Sequence, residues 1–120
     1  MLNKLPLRTN KPWGYELLFA HTDKYAGKVI FVRKGHRLSL QYHNKKDESI
    51  YIQEGRVLVE LETDGKMVQT ERSAGSCYRV RPLIKHRITA IEDTLLFEVS
   101  TPELDDVERL ADDYGRSSTT

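Results

Sequence analysis

Short apolar runs, separated by glycines and other turn-forming residues, recur along almost the whole chain. Runs of this kind, with no helical periodicity between them, are typical of strands in an antiparallel sandwich or barrel. Residues 63–66 form the clearest hairpin turn, because the Asp-Gly pair within them tolerates the positive φ angles of a tight turn. The pattern predicts an all-β protein, a small antiparallel β-barrel or jelly roll. The candidate strands are residues 15–20, 28–32, 38–43, 50–53, 57–62, 68–71, 77–80, 86–90 and 95–99.

Only the segment near the C-terminus has a helical pattern. Thr101 can act as the N-cap, and Pro102 fits the first helical position. Apolar residues then recur at three-residue spacing, which gives one apolar stripe. The stripe consists of Leu104, Val107 and Leu110. The pattern therefore predicts one short helix over residues 101–113.

The composition describes a folded domain with balanced charge. A chain of 120 residues fits one domain, 1–120, with an N-terminal arm at 1–10 and a flexible tail at 117–120. The net charge of +1 comes from 19 basic and 18 acidic residues, so we expect no nucleic acid and no membrane surface as a partner. No segment approaches the ~20 apolar residues of a membrane span, and we see no signal-peptide pattern. We therefore expect a cytoplasmic protein.

Four residues could together bind a metal ion. Alternation along a strand puts Gln41 and His43 on one side of it, and a hairpin with the next strand would return Glu48 beside His43. His86 begins a later strand. An amide oxygen, two imidazoles and a carboxylate suit a divalent ion such as Zn, Mn, Fe, Co or Ni. Each residue alone has a plainer interpretation, since a Gln-x-His on a strand or a Glu next to lysines usually binds no metal.

The joint spacing resembles the first signature of the cupin superfamily, with Gln in place of the first His. Here the pattern is Gly35-x5-Gln41-x-His43-x4-Glu48-x6-Gly55. The second cupin signature is matched only loosely, because its spacing differs by one residue and its inner Gly is replaced. The residues that match it are Gly75, Pro82 and His86.

Three longer motifs narrow the resemblance. Residues 11–16 (KPWGYE), 38–48 (LSLQYHNKKDE) and 104–116 (LDDVERLADDYGR) are similar to the C-terminal cupin domain of bifunctional mannose-6-phosphate isomerase/mannose-1-phosphate guanylyltransferases, and to related stand-alone cupins. Ser49 and Ile50 depart from the His-Trp pair of that family. The resemblance implies that Gln41, His43, Glu48 and His86 hold one divalent metal ion, and that the ligand is a sugar or sugar phosphate.

The resemblance also implies an aldose–ketose isomerisation, which needs a residue that transfers a proton. Lys28 is the first candidate for this catalytic role, because it occupies a lysine position of the family and lies on a predicted strand. Arg37 shares its strand parity with Gln41, so we expect it to point inward and bind substrate. A solvated lysine and ordinary surface charges are the alternatives. The full predicted substrate-binding set is Arg37, Ser39, Arg79, Arg81 and Lys85.

Two other functions remain open. One is a non-catalytic, metal-bearing cupin that binds a sugar or sugar nucleotide. The other is a metal-dependent oxygenase, although Gln41 counts mildly against it because Fe(II) oxygenases favour His-rich ligand sets. Apolar residues near the N-terminus exceed what a short first strand needs, which predicts a homodimer formed by strand addition across a two-fold axis. These residues are Leu5, Leu7, Trp13, Leu17 and Phe19.

Overall fold

The computed structural model describes residues 4–116, which form two antiparallel sheets and no helix. All nine strands predicted from the sequence form, and two more are present. Among the described residues, no helix could cross a membrane. The arrangement in two antiparallel sheets confirms the prediction of a jelly roll. In chain order the strands are β1 (Leu7–Lys11), β2 (Gly14–His21), β3 (Ala26–Val32), β4 (Leu40–Tyr42), β5 (Glu48–Glu54), β6 (Arg56–Thr63), β7 (Lys66–Ser73), β8 (Cys77–Val80), β9 (His86–Ala90), β10 (Thr94–Ser100) and β11 (Glu108–Ala111).

The six-stranded sheet has the order β1-β2-β3-β10-β5-β8, and the five-stranded sheet has the order β11-β4-β9-β6-β7. The chain crosses from the first sheet to the second between β5 and β6, at Gly55. This residue has φ +95°, and a Cβ there would lie 2.4 Å from the carbonyl oxygen of Asp93. The corner therefore requires glycine.

The hairpin at residues 63–66 is confirmed. Thr63 pairs with Lys66 across the turn between β6 and β7. Asp64 and Gly65 both have positive φ, 51° and 78°, as a tight two-residue hairpin turn requires.

The predicted hairpin between β4 and β5 is wrong. These strands belong to different sheets, and residues 43–47 cross between them. The crossing is fixed by Asp106, whose carboxylate accepts hydrogen bonds from the backbone N–H groups of Asn44, Lys45 and Lys46. This long-range contact has no signal in local strand periodicity. Glu48 still returns beside His43, by a different route.

The helix predicted over residues 101–113 is also wrong. Residues 102–107 form irregular turns, and β11 pairs with β4. Leu104 and Val107 line a cavity instead of a helix stripe. An isolated helix of this length is marginal in water, so packing against the sheets decides the conformation. The predicted tail at 117–120 lies outside the described residues.

The predicted N-terminal arm contains an edge strand. β1 pairs along its whole length with β2 of the same chain, from Leu7 opposite Leu18 to Lys11 opposite Gly14. Its residues are mostly exposed, so it lacks the apolar run that marks the other strands. Residues 1–3 lie outside the described part of the chain.

β2 contains a β-bulge. Its register against β3 shifts between Leu18 and Ala20, so Phe19 is an extra residue in the strand. The Phe19 ring lies over Gly27, where an added Cβ would come within 2.6 Å of the ring. The extra residue reverses the alternation beyond it, so His21, although exposed at the end of the strand, lies on the cavity side with Leu18.

The hydrophobic core fills one end of the space between the sheets, and a cavity occupies the other end. Both sheets contribute aliphatic side chains, and Trp13 is almost completely buried among them. The core residues are Trp13, Ile30, Val32, Ile50, Ile52, Val57, Val59, Ile88, Ala90 and Leu96.

Candidate metal centre

The cavity has a volume of about 770 Å³ and lies between the inner faces of the two sheets. Its walls come from β1, β2, β3, β5, β10 and the strands that face them. Residues 102–107 lie along one side of it. Such a volume is within the ordinary range of small-molecule sites.

Two histidines and a glutamate meet in this cavity. His43 follows β4, Glu48 begins β5 and His86 begins β9, and all three are buried. One potential ligand atom from each residue lies within 4.8 Å of the others. The crossing of residues 43–47 between the sheets is what joins the two halves of this cluster.

Hydrogen bonds fix the orientation of both imidazoles. His43 donates from Nδ1 to the carbonyl oxygen of Asp106, and His86 donates from Nδ1 to the carbonyl oxygen of Ile84 at 3.0 Å. A carbonyl can only accept, so each Nδ1 carries a hydrogen, and in the neutral imidazole the Nε2 atom then keeps its lone pair. Both Nε2 atoms face the centre of the cluster, as metal-binding histidines do.

The atoms at the centre have no hydrogen-bond partners. His43 Nε2, His86 Nε2 and Glu48 Oε1 are buried and unpaired, although His43 Nε2 lies only 3.2 Å from Glu48 Oε1. With both imidazoles neutral, these are three acceptors that face one another without an aligned hydrogen-bond donor, which is unfavourable. A cation between them would satisfy all three lone pairs, so the geometry fits a divalent metal ion.

Gln41 stands next to this cluster. It pairs with His86 between β4 and β9, and it lines the same cavity. Its side-chain amide oxygen could join the two imidazoles and the carboxylate as a fourth ligand. Such a mixed nitrogen and oxygen set suits a borderline divalent ion. The roles of Gln41, His43, Glu48 and His86 as ligands remain a prediction.

The charges of the cluster match this chemistry. Burial alone would raise the pKa of Glu48, but His43 and Lys46 lower it below its ordinary value, so the carboxylate stays ionised. Burial lowers the pKa of His86, which favours the neutral imidazole that a metal requires. Lys46 Nζ lies 3.2 Å from Glu48 Oε1 without the alignment of a hydrogen bond.

A chain of alternating charges crosses the inner face of the six-stranded sheet. Lys28 Nζ lies 2.9 Å from Glu16 Oε1, and Lys46 Nζ lies 3.1 Å from Glu98 Oε2. Lys28 and Glu98 are direct cross-strand neighbours between β3 and β10. Lys46 joins the chain to Glu48, so opposite charges run from β2 to the candidate metal centre.

Lys28 lies where the sequence argument needs it, since it lines the cavity and is mostly buried. The predicted substrate-binding residues do not. Arg37 pairs with Asp113 at 2.7 Å, and Arg79 pairs with Asp47 at 2.6 Å, both at the surface. Among the residues that the structure describes, the cavity lining includes none of the five predicted ones, which are Arg37, Ser39, Arg79, Arg81 and Lys85.

The inward direction predicted for Arg37 is wrong for a local reason. Strand parity would place Arg37 inward only within a continuous strand, but β4 begins at Leu40, and Arg37 makes just an isolated bridge to Thr89. Ser39 is buried away from the cavity. Arg81 and Lys85 are exposed in the turn before β9.

Other charged residues line the cavity and were missed in the sequence argument. Lys46 lies between His43 and Glu48 in the second motif, and Arg109 stands opposite Gln41 between β11 and β4. Glu98 is the single charged residue of β10. Its isolation within that strand was the signal that could have identified it. The missed cavity residues with charged side chains include Glu16, Lys46, Glu98, Glu103 and Arg109.

A jelly roll whose inner faces bring His, Glu and His together beside a cavity defines a cupin with a possible metal site. Residues 3–112 match the family described as mannose-6-phosphate isomerase C-terminal. Because this match covers most of the chain, the chain belongs to that family. No curated protein matches the chain significantly.

Solved structures agree on the fold. KdgF from Halomonas sp. has a TM-score of 0.70 at 22% identity, over 82% of this chain and 87% of that one. An RmlC-like cupin from Shewanella frigidimarina has a TM-score of 0.72 at 15% identity, over 87% and 90%. Oxalate decarboxylase from Bacillus subtilis has a TM-score of 0.77 at 16% identity, over 88% of this chain and 30% of that one. Another structure of the decarboxylase concerns its Mn(II) centers.

Proposed function

We propose that this protein binds one divalent metal ion and catalyses an aldose–ketose isomerisation of a sugar phosphate in the cavity. The observation that most directly supports this proposal is the buried cluster of unpaired atoms on His43, Glu48 and His86. Gln41 is the proposed fourth ligand. The family supports the reaction class, because its description refers to a mannose-6-phosphate isomerase.

A bound divalent ion would supply Lewis acidity for the oxygens at C1 and C2 of the sugar. The chain supplies the surroundings. Ile30, Ile50 and Leu96 form apolar parts of the wall and limit access of water. Lys28 and Glu16, paired at 2.9 Å, offer a donor and an acceptor to sugar hydroxyls. We therefore keep Lys28 as a residue that contacts the substrate.

The proposed phosphate site differs from the one expected from the sequence. The cavity wall carries the cations Lys11, Lys28, Lys46 and Arg109. The Lys46 ammonium already forms ion pairs with Glu98 and Glu48. Lys11 lies at the end of β1, on the same side of the cavity as Lys28. We propose that this side receives the anionic group of the substrate.

The test combines metal content with turnover. Purified protein is loaded in turn with Zn²⁺, Mn²⁺, Fe²⁺, Co²⁺ and Ni²⁺, dialysed and analysed for metal. Each loaded form is then incubated with hexose and pentose phosphates, and products are followed by NMR. We expect one retained ion and conversion of one aldose–ketose pair. His43→Ala should lose both properties.

His36→Ala is the matched control, because His36 hydrogen-bonds to Tyr114 and does not line the cavity. It should keep metal and activity. Metal-loaded protein that converts none of the sugar phosphates would end the isomerase proposal. Protein that retains no ion, with no effect of His43→Ala on any property, would end the metal-site proposal.

A non-catalytic sugar-binding cupin is the second candidate. The observation in its favour is that Lys28, the lysine first considered for proton transfer, forms an ion pair with Glu16. Calorimetry on the same metal-loaded samples separates the two functions. Tight binding of a sugar phosphate or sugar nucleotide without turnover would favour this candidate. The oxygenase hypothesis has gained no further support.

We also propose a homodimer. β1 pairs within its own chain, so strand addition would use a sheet edge that is free in the monomer. The outer face of the six-stranded sheet offers a second surface, which is apolar across β2, β3 and β10. Two such faces can meet without bringing like charges together. The cytoplasmic location predicted from the sequence stays a prediction.

A further inference from the structure

Glu98 is a buried carboxylate that lines the cavity at the centre of the six-stranded sheet. Only 7% of the residue is exposed. It stands opposite Lys28 on β3 and opposite Ile50 on β5. Burial of a carboxylate is costly unless it is paired. A charge at this place, in a strand that is otherwise apolar or small, therefore calls for a functional explanation.

Lys46 connects Glu98 to the candidate metal centre. Its ammonium donates a hydrogen bond to Glu98 Oε2 at 3.1 Å and lies 3.2 Å from Glu48 Oε1. A single nitrogen atom thus separates the Glu98 carboxylate from a proposed metal ligand. Glu98 and the three residues of the cluster line the same cavity, so a sugar bound at the cluster would occupy the space that Glu98 faces.

The other polar groups nearby are less suited to accept a proton from carbon. Lys28 donates from its ammonium to Glu16, and an ammonium has no lone pair. Glu48 belongs to the metal cluster. Glu16 lies farther along the charge chain, beyond Lys28. Asp106, another carboxylate of the cavity wall, is held by the backbone N–H groups of residues 44–46. Glu98 combines a carboxylate, a place in the cavity wall and a side-chain link to Lys46.

We infer that Glu98 is the catalytic residue that carries the proton between C2 and C1, with Lys46 as a positioning residue for its carboxylate. This inference rests on the proposed isomerase function. It moves the proton-transfer role from Lys28, where the sequence suggested it, to the neighbouring strand.

The step balances without any added reagent. The Glu98 carboxylate takes the proton from C2, the C–H electron pair forms the C1=C2 bond, and the carbonyl electron pair moves to O1. The enediolate then collapses, with O2 becoming the carbonyl oxygen and Glu98 returning the proton to C1. The hydroxyl proton of O2 passes to O1. Glu98 ends in its starting form.

The test uses the full chain, metal-loaded, and the sugar phosphate that the wild type converts. Turnover is measured together with exchange of the C2 hydrogen in D₂O, metal content and substrate affinity. Glu98→Gln keeps the shape and one acceptor for Lys46. We expect turnover and exchange to fall by about 100-fold or more, while metal content and substrate affinity stay within about threefold.

Glu54→Gln is the matched control, because Glu54 is an exposed carboxylate on β5, beside β10, and does not line the cavity. It should change turnover by less than about threefold. Activity of Glu98→Gln within about tenfold of wild type would overturn the inference and leave the isomerase proposal standing. Loss of C2 exchange in Lys28→Met, with Glu98→Gln still active, would return the role to Lys28.

A further variant protects the test against a folding defect. If Glu98→Gln unfolds or loses its metal ion, Glu98→Ala is assayed with added formate, whose carboxylate can enter the vacated space. Recovery of C2 exchange with formate supports the inference, and absence of recovery in folded, metal-loaded protein contradicts it. If the wild type shows neither turnover nor exchange with any sugar phosphate, the proposed function fails, and this inference fails with it.

Discussion

The two faces of the six-stranded sheet have opposite characters. The inner face carries Glu16, Lys28, Glu98 and Glu48 around the cavity. On β2, β3 and β10, which all lie within the described residues, the outward positions hold only apolar side chains and a glycine. An antiparallel sheet in a sandwich normally shows the reverse, with apolar residues inside and polar residues outside. The outward positions are Tyr15, Leu17, Phe19, Ala20, Gly27, Val29, Phe31, Leu95, Phe97 and Val99.

The two faces differ in how their side chains are paired. Inside, the charges alternate in sign and lie within 2.9 to 3.2 Å of their partners, so each buried charge is compensated. Outside, aromatic rings stack in pairs, with Tyr15 on Phe31 at 5.4 Å and Tyr51 near Phe97 at 6.3 Å. Contiguous exposed apolar surface of this kind usually marks an interaction site.

The largest expected effect is a loss of stability when a buried charge of the inner face is replaced by an apolar side chain. Lys46→Met leaves Glu98 and Glu48 buried without their shared cation, so the free energy of unfolding of the metal-free protein should fall by about 3–5 kcal/mol. The double variant Lys46→Met with Glu98→Leu removes both members of the pair, and it should recover most of that loss. Urea unfolding followed by circular dichroism gives both values. A single variant as stable as wild type would contradict this account of the inner face.

The next effect concerns the outer face. Phe97→Lys puts a charge at its centre and should convert the proposed homodimer to a monomer, a loss of at least about 2 kcal/mol of association free energy. Sedimentation equilibrium at micromolar concentration measures this change. Val68→Lys is the control, because Val68 is equally exposed, at 44% against 37% for Phe97, but lies in the five-stranded sheet. A wild-type protein that sediments as a monomer would remove the proposed dimer.

The smallest effect is a pH dependence of the loop that carries Lys46 to the inner face. Burial alone would raise the pKa of Asp106, but three backbone N–H donors lower it to about 2. Because the folded pKa lies below the unfolded one, this stabilisation is full above about pH 4 and is lost as the pH falls toward 2. Asp106→Asn should flatten the acid side of a plot of unfolding free energy against pH.

Asp105→Asn serves as the control for this change, since the Asp105 residue is exposed. It should keep the wild-type slope. An unchanged slope in Asp106→Asn would mean that the hydrogen bonds to residues 44–46 contribute little to stability.

The sequence predicted most of the framework because strand periodicity and turn chemistry are local. The turn at Asp64 and Gly65 and the spacing of His43 and Glu48 needed no knowledge of distant contacts. The crossing of residues 43–47 between the sheets involves Asp106, which lies some sixty residues from the loop it holds, and residues 108–111 form a strand by pairing with β4. A pattern within one segment carries no information about such a contact.

Glu98 shows a second limit. The run Leu95-Leu96-Phe97-Glu98-Val99 reads as a strand whose charged residue faces water, which would bury Phe97 and Val99. The structure has the opposite arrangement, with Phe97 and Val99 exposed and Glu98 buried. The usual alternation rule assumes that water is the more polar of the two environments. It fails at Glu98 because the part of the interior beside the cavity holds charged side chains, while the outer face of the same strands is apolar.

The bulge at Phe19 has a consequence for comparing this chain with its relatives. A relative that lacks the extra residue keeps the same sides, because Ala20 still stands opposite Gly27 and His21 still stands opposite Ala26. Its sequence must therefore be aligned with a one-residue gap at Phe19. Without that gap, each later residue of the strand would be matched with one that faces the other side. The hydrogen bond between His21 and the carbonyl oxygen of Pro102 would then be assigned to a residue on the outer face.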